Sequence, residues 1–566
     1  MNDAILKVDD LKVYFHDQGK VVKAVDGVSF ELNKGKNLGI VGESGSGKSI
    51  TSLSIIGLLP SKKAVIEAGE IIYCADDRCV QLNGLDEAAY TKYRGNRISM
   101  IFQEPMTSLN PSMKCGKQVA EALLLHRTRD KREAKQITID LFERVKLPEP
   151  ERIYNSYPHQ LSGGQIQRVM IAMAISCNPD ILIADEPTTA LDVTVQKEVI
   201  ALLKEIQKEY NMSIIFISHD LGVIKEISDD VAVMYKGKIV EYGTVDQIFN
   251  HAEHPYTKGL IACRPPLYYK MDRLPTISDF IDNKNMNLSS YVKQHKIDYL
   301  AKENITESIL EVKNLSTWYP KKKNWLGKVQ MYTKALNDVS FRVGNGECLG
   351  LVGESGCGKS TLSKTIMRLV NPTAGEVIYK GDNILDYKTA KLRELRKSLQ
   401  IIFQDPYSSL NPRLTVGYSI SEPMKVHGIY SDKKQRKEKT IELMETVGLQ
   451  SDHYSRYPHE FSGGQRQRIV IARTLAVEPE FIICDECVSA LDVSVQAQII
   501  NLLMDLQDKL GLSYIFISHD MAIVQFISDR IMVMKEGEII EEGMAESIIQ
   551  SPGHEYTRRL IEAIPT

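Results

Sequence analysis

Apolar residues fall in two rhythms along the chain, and the two alternate. Runs such as Val21 to Leu32 and Ala335 to Val343 read as strands. Each is followed by a further strand, a Gly-rich loop and a helix-like segment. Helix-periodic stretches come next, about 111–157 and 412–457, and then the apolar-periodic segments Gln167 to Ser176 and Gln467 to Leu475. The compact runs I-L-I-A before Asp185, F-I-I-C before Asp485 and I-F-I before Ser218 and Ser518 read as strands closing each unit. Strands alternating with helices predict an α/β core with a mostly parallel sheet, and the helical middle predicts an inserted subdomain.

The pattern occurs twice. Gln103 and Gln404 stand 301 positions apart in I-F-Q-E-P and I-F-Q-D-P. Ser162 and Ser462, Asp185 and Asp485, and His219 and His519 are each 300 apart. G-E-S-G-S-G-K-S from Gly42 recurs as G-E-S-G-C-G-K-S from Gly353, 311 positions on. The first half therefore holds about ten extra residues, expected in a longer surface hairpin through Y-C-A-D-D-R-C-V-Q-L-N-G. A repeat this long is a duplicated domain. The boundaries predicted are 1–264 and 308–566, with a polar linker or extension over 265–307.

Composition narrows the classes. Among 566 residues, 70 basic and 73 acidic side chains leave a net charge of −3, which argues against a dedicated nucleic-acid binder. No run reaches the roughly 18 apolar residues of a spanning helix. The opening M-N-D-A-I-L-K-V-D-D lacks the features of a secretory signal. Nine scattered cysteines predict reduced thiols in the cytoplasm and no disulfide framework. Cys74 and Cys79 are expected in the surface hairpin, with no metal role. The lysine runs Lys321 to Lys323, near Trp325, and Lys433 to Lys439 read as solvated surface.

The repeated motifs carry chemistry. A G-x-x-x-x-G-K-[ST] loop between a strand and a helix aims backbone N–H groups at phosphates. Lys48 and Lys359 would reach the β- and γ-phosphates, and Ser49 and Ser360 would ligate Mg²⁺. Asp185 and Asp485 would hold Mg²⁺, while Glu186 and Glu486 would orient the attacking water. L-S-G-G-Q and F-S-G-G-Q present a hydroxyl and bare backbone donors at a helix start, which alone would be an ordinary cap.

Taken together, phosphate loop, glutamine block, S-G-G-Q, D-E and S-H-D resemble the ATP-binding cassette superfamily along both halves. The resemblance implies two tandem P-loop (RecA-like) nucleotide-binding domains, each with an antiparallel β subdomain and an inserted α-helical subdomain. It implies cassettes that pair within one chain and close head-to-tail over two ATP molecules. Site one would join Gly42, Ser44, Gly45, Ser46, Gly47, Lys48, Ser49, Ile50, Gln103, Asp185, Glu186 and His219 to Ser462, Gly463, Gly464 and Gln465. Site two would join Gly353, Ser355, Gly356, Cys357, Gly358, Lys359, Ser360, Thr361, Gln404, Asp485, Glu486 and His519 to Ser162, Gly163, Gly164 and Gln165. By the same resemblance Gln103 and Gln404 touch the metal, and His219 and His519 sense the γ-phosphate. Phe15 and Tyr319, next to Tyr14 and Trp318, are the candidates to stack on adenine, and Asp192 and Asp492 match the D-loop. Both sites are complete, so two hydrolysing sites are expected. Cys357, at a helix N-terminus that favours thiolate, is expected to be alkylated with loss of site two. Cys484 and Cys487 bracket the second D-E, where a redox or metal role is the weaker reading.

F-Q-E-P-M-T-S-L-N-P, F-Q-D-P-Y-S-S-L-N-P, H-P-Y-T-K-G-L from His254 and H-E-Y-T-R-R-L from His554 resemble the oligopeptide/dipeptide importers. That family implies two multispanning permease subunits, an extracytoplasmic solute-binding protein and a peripheral place on the cytoplasmic face of the inner membrane. Only Cys263 lies between His251 and Leu310, too few for the four thiolates of the iron–sulfur cluster some relatives carry. The alternative of another class is a dual-cassette translation factor on the ribosome. Its hallmark is a long charged helical linker, whereas Pro275, Asn283, Asn285 and Asn287 punctuate the stretch here.

Overall fold

The computed structural model describes residues 4–17, 20–61, 63–75, 78–188, 191–268, 271–282, 308–323 and 329–564. Most of the expected linker, 283–307, and Trp325 lie outside the described residues. The described chain divides into two compact units, 4–261 with 277–282, and 262–276 with 308–564.

In the first unit the strands are β1 (Ala4–Asp17), β2 (Lys20–Asn33), β3 (Asn37–Val41), β4 (Ala64–Ala75), β5 (Arg78–Gln81), β6 (Ile98–Ile101), β7 (Ile181–Asp185), β8 (Ser213–Ile217), β9 (Asp230–Tyr235) and β10 (Lys238–Thr244). They build a four-stranded antiparallel sheet, β2-β1-β4-β5, and a six-stranded sheet, β10-β9-β3-β8-β7-β6. The larger sheet is parallel except for β10 against β9. Its inner strands are apolar but for one polar residue at an end of each, Asn37, Asp185 and Ser213, because both faces are covered: β3, β7 and β8 are buried at every position. One apolar core joins the two sheets, with Leu6, Val13 and Phe30 from the smaller packing with Ile40, Ile183 and Ile215 from the larger. Each such side chain contributes about 1.5–3 kcal/mol by leaving water.

The second unit repeats this with β11 (Ser308–Lys323), β12 (Val329–Gly344), β13 (Cys348–Val352), β14 (Ala374–Tyr379), β15 (Asp382–Asn383), β16 (Leu399–Ile402), β17 (Phe481–Asp485), β18 (Ser513–Ile517), β19 (Arg530–Lys535) and β20 (Glu538–Met544). Its sheets run β12-β11-β14-β15 and β16-β17-β18-β13-β19-β20. The helical middles hold Cys115–His126, Lys131–Arg144 and Pro150–Asn155 in one unit, Val416–Val426 and Lys433–Thr446 in the other. Within the second unit, Asn501 clamps Leu274 through both backbone groups, donating to its carbonyl at 2.8 Å and accepting its N–H at 2.9 Å.

Two expectations change and one holds. The long strands β1 and β11 open each unit ahead of the strands read from the sequence. Bulges explain the miss: register shifts between Val8 and Leu11 in β1, and between Val312 and Leu315 in β11, interrupt the alternation that marks a strand. The extra residues of the first half do lie in the β4–β5 hairpin, whose strands span 12 and 4 residues against 6 and 2 for β14 and β15. In that hairpin Cys74 and Cys79 are joined in a disulfide, a correction to the all-thiol expectation. The antiparallel register sets them directly opposite, with Cα atoms 4.1 Å apart. The other seven cysteines are thiols.

Candidate functional site

In each unit the candidate residues gather at the carboxyl ends of the parallel strands, where a strand order that reverses opens a crevice. The phosphate loop leaves β3 between β8 and β9, and Lys48–Ile55 follows as a helix. Only glycine fits at its narrowest points. Gly42 has φ 153° and Gly47 φ 105°, and a Cβ there would sit 2.2 Å from the Met234 carbonyl and 2.5 Å from that of Ala24. Buried Lys48 donates from Nζ to the carbonyls of Gly42 at 2.7 Å and Glu43 at 3.0 Å. Ser49 Oγ donates to Asp185 Oδ1 at 3.2 Å. Asp185 ends β7, and burial pushes its carboxyl up to about 6.

Glu186 is held from several directions. Gln103 Nε2 donates to its Oε2 at 2.9 Å, and His219 Nδ1 lies 3.2 Å from the same oxygen. Its N–H donates to the Ile217 carbonyl at 2.9 Å, and its φ is 48°, a left-handed backbone on a non-glycine residue. Such a conformation persists where the surroundings impose it, and it turns the side chain away from the strand line.

The second unit reproduces the cluster. Lys359 donates to Gly353 O at 2.6 Å and Glu354 O at 2.9 Å, and Ser360 Oγ to Asp485 Oδ1 at 3.2 Å. Gln404 donates to Glu486 Oε2 at 2.8 Å, and Glu486 has φ 51°. Ser363, one turn beyond Ser360, adds a donor to Asp485 Oδ2 at 3.1 Å. Sequence reading missed it, although three-residue spacing on a helix puts both serines on one face. Burial raises the Asp485 carboxyl as well.

Cys357 corrects an expectation. It is 8% exposed, and burial pushes its thiol up, outweighing the nearby Lys359 charge. Burial therefore disfavours the thiolate that the helix N-terminus was expected to favour. Cys484 and Cys487 are also buried. Their mutual hydrogen bond and then burial hold Cys484 well above the usual thiol range. No cluster of three or more metal-ligating side chains occurs among the described residues.

Ser162 and Ser462 cap the helices Gly163–Ile175 and Gly463–Leu475, each in a reciprocal box with Gln165 or Gln465. A Cβ on Gly163 would meet nothing within 4 Å, so the helix start is open to an incoming group. Among the described residues no hydrogen bond joins these serines to the phosphate loop of their own unit. Of the aromatic candidates, Tyr14 is engaged by Asp26 at 2.6 Å and Trp318 lies under Lys334 Nζ at 5.1 Å. Phe15 is half-buried and Tyr319 is 39% exposed. Asp192 caps Val193–Tyr210 through the Val195 N–H at 3.0 Å.

The family model described as ABC transporter matches residues 25–189 and 336–489, and that of the oligopeptide/dipeptide transporter C-terminal region matches 240–283 and 540–566. The chain is 46% identical over 564 residues to the glutathione import ATP-binding protein GsiA of Pectobacterium atrosepticum, covering 99% of this chain and 89% of that one. It is 47% identical over 563 residues to GsiA of Salmonella choleraesuis and 46% over 567 to GsiA of Escherichia coli K12, with the same coverage. Two matched cassettes, each built around its own phosphate loop and D-E pair, make this chain a member of the ABC transporter family, an ATP-binding ATPase with two cassettes in tandem.

Proposed function

We propose that the chain is the energy-coupling ATPase of an importer for small peptide-like solutes, glutathione first among the candidates. Cassettes 1–264 and 308–566, separated by the stretch 265–307, would close over two ATP molecules and drive two permease subunits from the cytoplasmic face of the inner membrane. A solute-binding protein would deliver the cargo. Among the described residues no helix is long and apolar enough to cross a membrane, so the pathway itself is assigned to partners. The observation that carries the reading is likeness over 99% of this chain to glutathione import ATP-binding proteins, H-P-Y-T region included. Nothing in these likenesses supports the ribosomal alternative.

The roles follow from the geometry. Backbone N–H groups of 44–50 and 355–361 would cradle the phosphates, with Lys48 and Lys359 leaving their loop carbonyls to meet them. Ser49 with Asp185, and Ser360 with Asp485, offer a hydroxyl and a buried carboxylate. That oxygen donor set suits Mg²⁺, which takes one or two carboxylates and completes its shell with water and phosphate. An ion held by these residues would supply neutralisation of phosphate charge. Gln103 and Gln404 would sense that ion while holding Glu186 and Glu486. The glutamates would orient water in line with the γ-phosphate and take its proton. Ser162 to Gln165 and Ser462 to Gln465 would complete the opposite site on closure, His219 and His519 would read the γ-phosphate, and Phe15 and Tyr319 would stack on adenine.

The test is uptake of labelled glutathione by cells whose glutathione importer lacks its own ATP-binding subunit and is supplied with this chain instead. Uptake that is lost in the Lys48→Ala, Lys359→Ala double variant supports the reading. Uptake indifferent to those changes, or confined to an unrelated solute, overturns the cargo assignment.

A further inference from the structure

The H-P-Y-T and H-E-Y-T segments lie outside the stretches matched by the ABC transporter model, yet each reaches the phosphate loop of its own unit. Helices Pro255–Ala262 and Glu555–Glu562 carry the buried tyrosines Tyr256 and Tyr556. Tyr256 Oη accepts the Glu43 N–H at 3.0 Å, and Tyr556 Oη accepts the Glu354 N–H at 3.0 Å. Each N–H is one end of a peptide group whose other end is the carbonyl of Gly42 or Gly353. Those carbonyls accept from Lys48 Nζ at 2.7 Å and Lys359 Nζ at 2.6 Å. One peptide plane in each loop is therefore gripped at both ends, by the tyrosine on one side and the phosphate lysine on the other.

The rest of the segment fixes the tyrosine. His254 Nδ1 accepts the Tyr256 N–H at 3.2 Å, and His554 Nδ1 the Tyr556 N–H at 3.0 Å. Glu241 accepts the N–H groups of Glu253 at 2.7 Å and His254 at 3.2 Å. Glu541 does the same for Gly553 at 2.6 Å and His554 at 3.2 Å. The Tyr256 ring stacks on Tyr235 with centroids 4.2 Å apart. The histidine and tyrosine two residues apart thus act as one unit, helix cap and loop contact, repeated in both halves.

We propose that Tyr256 and Tyr556 are positioning residues for ATP binding, resting on the ATPase reading above. By accepting the loop N–H, the hydroxyl keeps the peptide plane oriented with its carbonyl toward the lysine and its N–H outside the phosphate cradle. Without the hydroxyl a half-buried N–H loses this acceptor, and the loop relaxes away from the conformation that receives phosphates.

The experiment compares the full chain with its Tyr256→Phe, Tyr556→Phe variant, which keeps both rings and deletes both oxygens. Both are also prepared with Glu186→Gln and Glu486→Gln, so that binding of fluorescent mant-ATP and mant-ADP is read without turnover. The expected result is a loss of affinity of about fivefold for both nucleotides, the size of one neutral hydrogen bond. In the chain with its glutamates intact, the KM for ATP rises by the same factor while kcat at saturating ATP is unchanged. Unchanged affinity, a fall in kcat alone, or a variant that does not fold overturns the proposal and makes the tyrosines core residues. A wild-type chain that does not hydrolyse ATP would overturn the ATPase reading instead.

Discussion

The two catalytic clusters share their polar residues and differ in how those residues engage one another. In the first unit His219 sits 3.2 Å from Glu186, within hydrogen-bonding reach, whereas His519 stands 3.9 Å from Glu486. Asp185 accepts from Ser49, while Asp485 accepts from Ser360 and Ser363. Cysteine replaces small or apolar residues around the second cluster: Cys357 for Ser46, Cys484 for Ala184 and Cys487 for Pro187. Duplication has kept the groups proposed to meet nucleotide and let their supporting shell drift. The hydrogen bonds to each catalytic carboxylate, more than its identity, are where the two sites can be told apart.

Glutamate replacement makes the largest break in this comparison. Glu186→Gln and Glu486→Gln should each lower turnover at the site they occupy by about 100-fold or more, the usual reach of general-base catalysis. Single-turnover assays on each variant read the site left intact, and equal residual rates would mean that the differing shells do not matter. Removing the histidines sharpens the point. His219→Ala should cost more turnover than His519→Ala, because His219 lies within hydrogen-bonding reach of its glutamate and His519 does not. A larger loss at His519 would show that the distances rearrange on binding.

A smaller effect concerns stability. The Asp185 carboxyl is raised to about 6 from an ordinary 3.8 because it is buried. Its folded form therefore binds the proton more tightly than its unfolded form, so this group destabilises the fold as pH rises through that interval. Without nucleotide or Mg²⁺, Asp185→Asn should melt above wild type at pH 7, and the gap should shrink as pH falls below about 6 and close near 3.8. A gap independent of pH would remove the buried charge as the cause. Smallest of all is Cys357→Ser, expected to leave ATP turnover unchanged. The wild-type thiol should resist N-ethylmaleimide at pH 7, since burial raises its pKa. Rapid alkylation with loss of turnover would restore a reactive thiolate.

Much of this is legible in the sequence alone. The repeat, the parallel core and the phosphate-loop and D-E residues follow from local spacing, because a strand–loop–helix must present its glycines, lysine and hydroxyl in fixed order. What escapes is of three kinds. Bulges at positions such as Asp10, with φ 45°, and Asn314, with φ 48°, hide the alternation of β1 and β11. Burial reverses the helix-dipole argument for Cys357, and burial is invisible in a motif. The Tyr256 contact joins residues 213 positions apart, beyond any local pattern. Strand pairing likewise brings Cys74 onto Cys79, where only the hairpin itself was foreseen.

The central claim is that one chain holds two complete ATP sites, each with its own glutamate. The most direct measurement is equilibrium binding of ATP to the Glu186→Gln, Glu486→Gln chain alongside its turnover. Two ATP bound per chain with hydrolysis lost is the predicted result. Hydrolysis at the wild-type rate, or a single ATP per chain, would contradict it.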